Sequence, residues 1–395
     1  MFLIMSNQKT LDNFFKCTSN NRDINIKKYF YLDWLDEGHL PNNNAIMLDE
    51  RPSKINFIQK IECSNIKKGY YFYICGNFKN YESNVYTIEK ETTYKNTCYL
   101  TSLLQKSIRK QNKNLTIQSC YHLMKLNIND LLRRLPIIML EDTYLHSSIT
   151  TIIWLMVAVG TKKFLMKKYI YEWILGFSYT CCITKKTDKL NNTIKQDKNN
   201  NYNQIDNDND NDNDNNNDND KCNNKKNKNN NNNILNNSNN LNVIEYSILY
   251  ALYFRVAYGG KDNDMKMIKS YIKLWNKRFH NKSNKKINTM SIKTVSLFVK
   301  TLEIDEWDLS AIDYHTNSNF TDFIFKKFPE ITKQNIEKII WIYSSSVNNR
   351  ILKDNIINNI NNINNNSNDI CMKENWIKIK YYVEKTQKYL LESNI

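Results

Sequence analysis

Between Lys185 and Leu241 the sequence offers almost nothing to bury. Its centre reads QIDNDNDNDNDNNNDNDKCNNKKNKNNNNN, and the whole tract sets nine Lys against nine Asp. Such a segment cannot bury enough apolar surface to offset its ordering entropy, so residues 185–241 are expected to be a disordered insert. Any fold must then be assembled from the apolar segments on either side. Loop closure costs grow slowly with length, so the tract fits a surface insert between two helices of one domain.

The flanks show two patterns. Over 27–96, Lys54–Cys63 (KINFIQKIEC) and Tyr70–Cys75 (YYFYIC) are rich in aromatic and β-branched residues and read as strands. Asn84–Glu91 reads as another. From Tyr99 the apolar spacing becomes helical, with Leu100, Leu103, Leu104 and Ile108 on one stripe. Ile117, Tyr121, Met124 and Leu126 mark a second helix. Leu131, Leu132 and Leu135 mark a third, interrupted by Pro136. Ile149–Val159 and Phe164–Tyr179 read as two buried helices. Beyond the insert, helices are expected at Val243–Tyr258, Met265–Phe279, Ile292–Leu302, Phe320–Phe328, Asn335–Ser344 and Trp376–Leu391. Thr332 is placed to cap the fifth of these. The expected fold class is mainly α with a small N-terminal β-containing region (α+β). Its parts are a flexible tail (1–26), a small α/β region (27–96) and a helical domain in two halves (97–184 and 242–353). An Asn-rich linker (354–369) and a C-terminal helix (370–395) follow.

Several function classes are disfavoured by supply. Only seven Gly occur in 395 residues, so glycine-rich phosphate loops are nearly excluded. The nine Cys form no CxxC pair, which reads as reduced thiols rather than a disulfide framework or zinc site. The most apolar run, Ile149–Val159, is far short of the roughly 20 residues of a membrane span. No membrane association is expected. The formal charge is +16. Since the insert is neutral, that charge sits on the rest of the chain, which favours an acidic partner such as nucleic acid. An AT-rich coding sequence would also raise Lys, Asn, Ile and Tyr together.

The tail contains Gln8-Lys9-Thr10-Leu11-Asp12-Asn13-Phe14-Phe15. Residues i and i+3 align in a 3₁₀ turn, so Leu11, Phe14 and Phe15 form a three-pronged apolar plug with Gln8 at its rim. No local core exists to receive it. The stretch resembles the PCNA-interacting (PIP) box, Q-x-x-(Leu/Ile/Met)-x-x-aromatic-aromatic, and Gln8, Leu11, Phe14 and Phe15 fill its four positions. The resemblance implies docking into a hydrophobic pocket of the PCNA sliding clamp, a nuclear location, and work in DNA replication or repair. Asp12-Asn13 and Ser19 depart from the degradation-signal variant of the box. The tail also resembles that of nuclear uracil-DNA glycosylases, but the body lacks their catalytic loop.

A second resemblance covers residues 102–142. Lys106-Ser107-Ile108-Arg109, Arg133-Arg134 and Glu141-Asp142 are similar to runs in the helical half of Werner-helicase-interacting, replication-associated AAA+ ATPases. There is no Walker A loop, and Thr143 stands where that family has glycine, so ATPase activity is not implied. Homo-oligomerisation is. The same residues also read as a solvated helix face and a helix end. Residues 99–184 hold 11 Lys and Arg against four Asp and Glu. Arg109, Lys110, Arg133, Arg134, Lys162, Lys163, Lys167 and Lys168 are therefore candidate contacts to DNA phosphates, giving non-specific, salt-sensitive binding.

The chemistry-bearing residues are sparse. Asp313-Tyr314-His315 puts a carboxylate and an imidazole on one face if extended, a candidate metal pair. Glu141-Asp142 is a candidate carboxylate pair or a helix-end ion pair. Ser344–Arg350 (SSSVNNR) reads as a polar cluster or a helix cap. Two readings follow. One is a non-catalytic clamp-binding accessory with a basic body contacting DNA or partner proteins, without a cofactor. The alternative is a divergent metal-dependent DNA-processing enzyme using Asp313 and His315.

Overall fold

The structure is a computed structural model that describes residues 28–35, 40–41, 44–62, 71–83, 85–89, 96–188, 241–280, 287–297, 318–345, 348–351 and 367–393. It is mainly α-helical with one small sheet.

Four strands form that sheet: β1 (Tyr29–Trp34), β2 (Ile46–Leu48), β3 (Phe57–Glu62) and β4 (Tyr71–Phe78). Their order is β2-β1-β4-β3, with β1 and β4 parallel and the outer pairs antiparallel. Alternation divides the side chains between two faces. Phe30, Leu32, Trp34, Phe57, Phe72, Ile74 and Phe78 enter the main core. The opposite face carries Tyr29, Tyr31, Asp33, Tyr71, Tyr73 and Cys75, of which Tyr29 and Cys75 are buried. The expected strands at 54–63 and 70–75 are thus present. The segment expected at 84–91 makes no strand among its described residues; Tyr86 instead donates its N–H to the Met166 carbonyl (3.1 Å) and Ile88 is buried. β1 and β2 lie where no strand was expected. The short β2 includes Met47 and Leu48.

Helices cover the inner face. α1 (Thr97–Arg109) and α2 (Lys113–Asp142) precede α3 (Ile149–Gly160) and α4 (Lys168–Ile183). α5 (Val243–Ala257) and α6 (Asp262–His280) follow the insert. The Asn richness of the chain serves these helix starts. Asn96, Asn112 and Asn242 each accept the N–H three residues on, satisfying a donor the helix itself leaves open. Glu245 completes a capping box at α5. The break in α2 falls at Asn127 (φ −158°, ψ 92°), not at Pro136, which sits inside the helix. Asn127 Oδ1 accepts from the N–H groups of Asn129 and Asp130, so the side chain restarts the helix it interrupts.

α3 is the centre: every residue from Ile149 to Ala158 is buried. Its Trp154 indole N–H lies 2.9 Å from the Phe30 carbonyl and 3.1 Å from the Cys75 carbonyl, bridging the two parallel strands. Phe254 of α5 stacks on Phe72 at 3.9 Å. The sheet is therefore a layer of the same core as the helices on both sides of the insert, not a separate unit. Each fully buried aromatic contributes about 2–3 kcal/mol.

Residues expected to be helical at 292–302 form no helix over 291–297. Val295 donates to the Glu172 carbonyl (3.1 Å), and the segment lies against Gly176 of α4. A second, smaller core joins α7 (Ser318–Lys327), α8 (Lys333–Ile340) and α9 (Ser367–Ser393) through Phe320, Ile324, Ile336, Ile339, Ile379 and Val383. Thr332 caps α8 as expected, and α8 runs on into a π-turn at Trp341–Ser345. Among the described residues, no helix is long and apolar enough to cross a membrane.

Candidate functional site

Three of the sites expected from the sequence fall outside the described residues: the Gln8, Leu11, Phe14, Phe15 motif, the Asp313–His315 pair and nearly all of the insert. The cationic residues can be placed, and the fold uses most of them internally.

Arg109 closes α1 against the end of α2. Its Nε lies 2.6 Å from Asp142 Oδ1, and its outer nitrogen 3.4 Å from Glu141. Gln105, one turn earlier, donates to both carboxylates at 2.8 Å. Arg134 donates to Gln105 Oε1 and pairs with Asp264 of α6 at 3.1 Å. Burial and the adjacent Asp142 push the Glu141 pKa up, while Arg109, Gln105 and Arg134 oppose the rise. Two carboxylates with one raised pKa can serve acid–base chemistry. Here the Asp142 side chain is only 4% exposed, and its two oxygens are taken by Arg109 and Gln105. The cluster is a latch holding α1, α2 and α6 together. Sequence reading found Arg109, Arg134, Glu141 and Asp142 but missed Gln105, the residue that links them.

The other cations divide in the same way. Arg133 donates to the Gly259 carbonyl (3.1 Å), and Lys110 to that of Ser344 (3.0 Å). Lys167 is 3% exposed, and its ammonium donates to the Asn80 and Ser83 carbonyls. Lys168 pairs with Glu172. Lys162 and Lys163 are exposed on the α3–α4 turn. That turn packs on the exit from β4, where the Tyr81 hydroxyl accepts the N–H of Leu165 (3.0 Å).

The Ser344–Arg350 cluster resolves as a cap. Arg350, fully buried, donates to the carbonyls of Ile108 (2.9 Å), Cys182 (2.8 Å) and Thr184 (2.5 Å), and also to those of Asp142 and Cys181. Asn348 and Asn349 donate to the Asp142 and Lys110 carbonyls. These carbonyls are the C-terminal ends of α1, α2 and α4. One guanidinium thus meets three negative helix ends.

Among the described residues, no group of three or more His, Cys, Asp or Glu is arranged to hold a metal ion. His146 is structural: its Nδ1 accepts the Ser148 N–H (3.0 Å), and its Nε2 lies 2.6 Å from the Met290 carbonyl. Cys120 and Cys181 are buried thiols whose pKa burial pushes up to about 12, the reverse of what a nucleophile needs. The narrow void beside His146 and Cys181 has no room for a water molecule.

No protein-family model, curated protein or solved structure matches this chain.

Proposed function

We propose that this protein is an accessory factor of DNA replication or repair that binds the PCNA sliding clamp in the nucleus through its N-terminal tail. One observation carries the reading: Gln8, Leu11, Phe14 and Phe15 occupy all four positions of the clamp-binding motif. An apolar plug of this kind needs a pocket, and the pocket here belongs to the partner. Gross burial of the three side chains contributes roughly 5–8 kcal/mol. Ordering the tail costs about 1 kcal/mol or more per residue, so the peptide alone binds modestly. A ring with three sites, together with DNA contact by the body, raises effective affinity by avidity.

The basic charge outside the insert supports the DNA-contacting role. Within the cations first considered, Lys162 and Lys163 stand exposed for that contact, while Arg109 and Arg134 serve the helix latch.

Calorimetry of the full chain against purified clamp tests the reading. The Phe14→Ala/Phe15→Ala variant should lose at least about tenfold in affinity, the factor that 1.4 kcal/mol represents. Unchanged binding by that variant removes the central claim.

A further inference from the structure

Helix α6 divides cleanly along its length. Met265, Ile268, Tyr271, Ile272, Trp275 and Phe279 enter the main core. Beyond Asn263, the exposed residues of the helix are Lys266, Ser270, Lys273 and Lys277. They fall at i, i+4, i+7 and i+11, which is one face of a helix. Lys269, half-buried, borders them. At 1.5 Å per residue the row from Lys266 to Lys277 is about 16 Å long.

These charges are not neutralised locally. Among the described residues, no carboxylate pairs with Lys266, Lys269, Lys273 or Lys277. The carboxylates on the elements packed against α6 are engaged elsewhere. On α2, Asp130 accepts from Asn127, while Glu141 and Asp142 are held by Arg109 and Gln105. On α5, Glu245 caps its own helix. Asp264 pairs with Arg134, and Asp188 with Arg278. Asp262 remains, in the first turn of α6, where a carboxylate suits the positive end of the helix. Partial burial and the neighbouring Lys273 pull the Lys269 pKa below that of a free lysine, against the opposing pull of Asp262. The row also continues past the helix end. The Asp188–Arg278 pair holds residues 185–188 beside Lys277, and Lys185 and Lys186 are exposed there.

Unrelieved cations in a row attract a polyanion, and the shape of the row selects among polyanions. A helix that lies on an anionic membrane buries its apolar face among the lipids, but the apolar face of α6 is already in the core. An unpaired nucleic-acid strand needs aromatic rings for its bases, and no exposed residue of the row is aromatic. An acidic peptide would have to be ordered along the row at an entropic cost. A duplex is already rigid. Each of its strands presents a phosphate about every 3.4 Å of axis, so a row of about 16 Å matches some five of them.

We infer that the lysine row of α6 is a docking face for the phosphate backbone of duplex nucleic acid, without preference for sequence. The inference rests on the DNA-contacting half of the reading above, supplies the surface for that contact, and does not depend on the tail.

The test uses the full chain and a fluorescein-labelled duplex of about 20 base pairs, read by anisotropy over a salt series. Lys266→Gln/Lys273→Gln/Lys277→Gln should weaken binding about tenfold or more at low salt. It should also flatten the slope of log affinity against log salt by about 0.9 for each lysine removed. The same positions changed to Arg keep the charge and should bind within about threefold of the unaltered chain. Lys373→Gln/Lys378→Gln/Lys385→Gln makes the same change of charge on exposed positions of α9 and should have little effect. Acetylation footprinting of the unaltered chain reads the same face without any variant: duplex should protect Lys266, Lys273 and Lys277. A folded α6 glutamine variant that binds like the original, an equal loss from the α9 variant, or protection confined to other lysines would each overturn the inference. So would tighter binding to single strands, phosphatidylserine vesicles or polyglutamate than to duplex. No binding by the unaltered chain at low salt would remove the DNA contact itself along with its surface. Phe14→Ala/Phe15→Ala should leave duplex binding unchanged, so failure at the clamp and failure at α6 are told apart.

Discussion

Arg350 shows how one side chain can hold a fold together. A buried guanidinium is normally costly, and burial does pull its pKa down. Its donors are fully used, because three helix C-termini present carbonyls that no helical N–H can reach. Arg350→Ala leaves those carbonyls without a partner and should cost about 3–5 kcal/mol. Arg350→Lys offers a point charge rather than a fork and should recover only part of this. Urea unfolding midpoints measure both, and a loss under about 1 kcal/mol for alanine would show that other donors already suffice. Among the described residues, the buried His122 and His146 set a pH dependence. Burial lowers the pKa of His146, and burial with Lys125 nearby lowers that of His122 to about 4. Below the unfolded value of about 6.5, the unfolded chain takes up protons that the folded chain refuses. Stability is therefore full above about pH 6.5 and falls as pH drops towards 4. The slope is at most about 1.4 kcal/mol per pH unit per group, and smaller where water screens the ring. Thermal melts from pH 7 to 4.5 should show it, and His122→Gln/His146→Gln should flatten it. Sequence showed these residue types but not their partners. Of the five histidines, only His315, beside Asp313, had a candidate role; His122 and His146 could be read only as unassigned.

At the scale of elements, periodicity located most helices, and tertiary contacts decided the rest. Separate helices were expected around 117–126 and 131–135, and Asn127, which caps its own restart, does break α2 between them; the interruption expected nine residues later, at Pro136, is absent. Residues 292–297 have helical apolar spacing but form no helix, and their backbone lies instead against Gly176 of α4. A Cβ on Gly176 would sit 1.9 Å from the Lys293 carbonyl oxygen. Alanine raises helix propensity by about 1 kcal/mol over glycine, so propensity alone predicts that Gly176→Ala stabilises. Packing predicts the reverse, since backbone would have to retreat and the Val295–Glu172 bond would stretch. We expect a net loss of about 1–3 kcal/mol in chemical unfolding; a more stable variant would mean that the segment at 292–297 shifts freely. The outer face of the sheet was legible in part. Tyr-x-Tyr occurs in YFY at 29–31 and again at 71–73, and alternation alone puts each pair on one side of a strand. That the two pairs meet across a parallel β1–β4 pairing is a matter of topology, which alternation does not encode.

The whole molecule is governed by the tract that divides it. One core contains α3 and α4 from one side of the insert with α5 and α6 from the other. Sequence reading did not foresee that the sheet would be a layer of that core, because no single strand states which helix will cover it. The fold also engages residues that composition assigns to the insert. Residues 185–188 belong by composition to the insert, yet Asp188 is buried, pairs with Arg278 of α6 at 3.1 Å and donates its N–H to the Thr143 carbonyl. This separates two deletions that sequence alone would treat as equivalent. Replacing residues 191–239, a stretch of 49, by a Gly/Ser linker of about 15 residues shortens the closing loop roughly threefold. Loop closure then favours folding by about 1 kcal/mol, so stability should hold or rise slightly. Extending the same replacement back to residue 185 removes the carboxylate that neutralises Arg278 and should cost a few kcal/mol despite the shorter loop. Scanning calorimetry of the two variants reads the difference directly. Equal melting temperatures would show that Arg278 finds another partner or water, and loss of folding in the first variant would show that the Asn-rich tract is needed for more than joining α4 to α5.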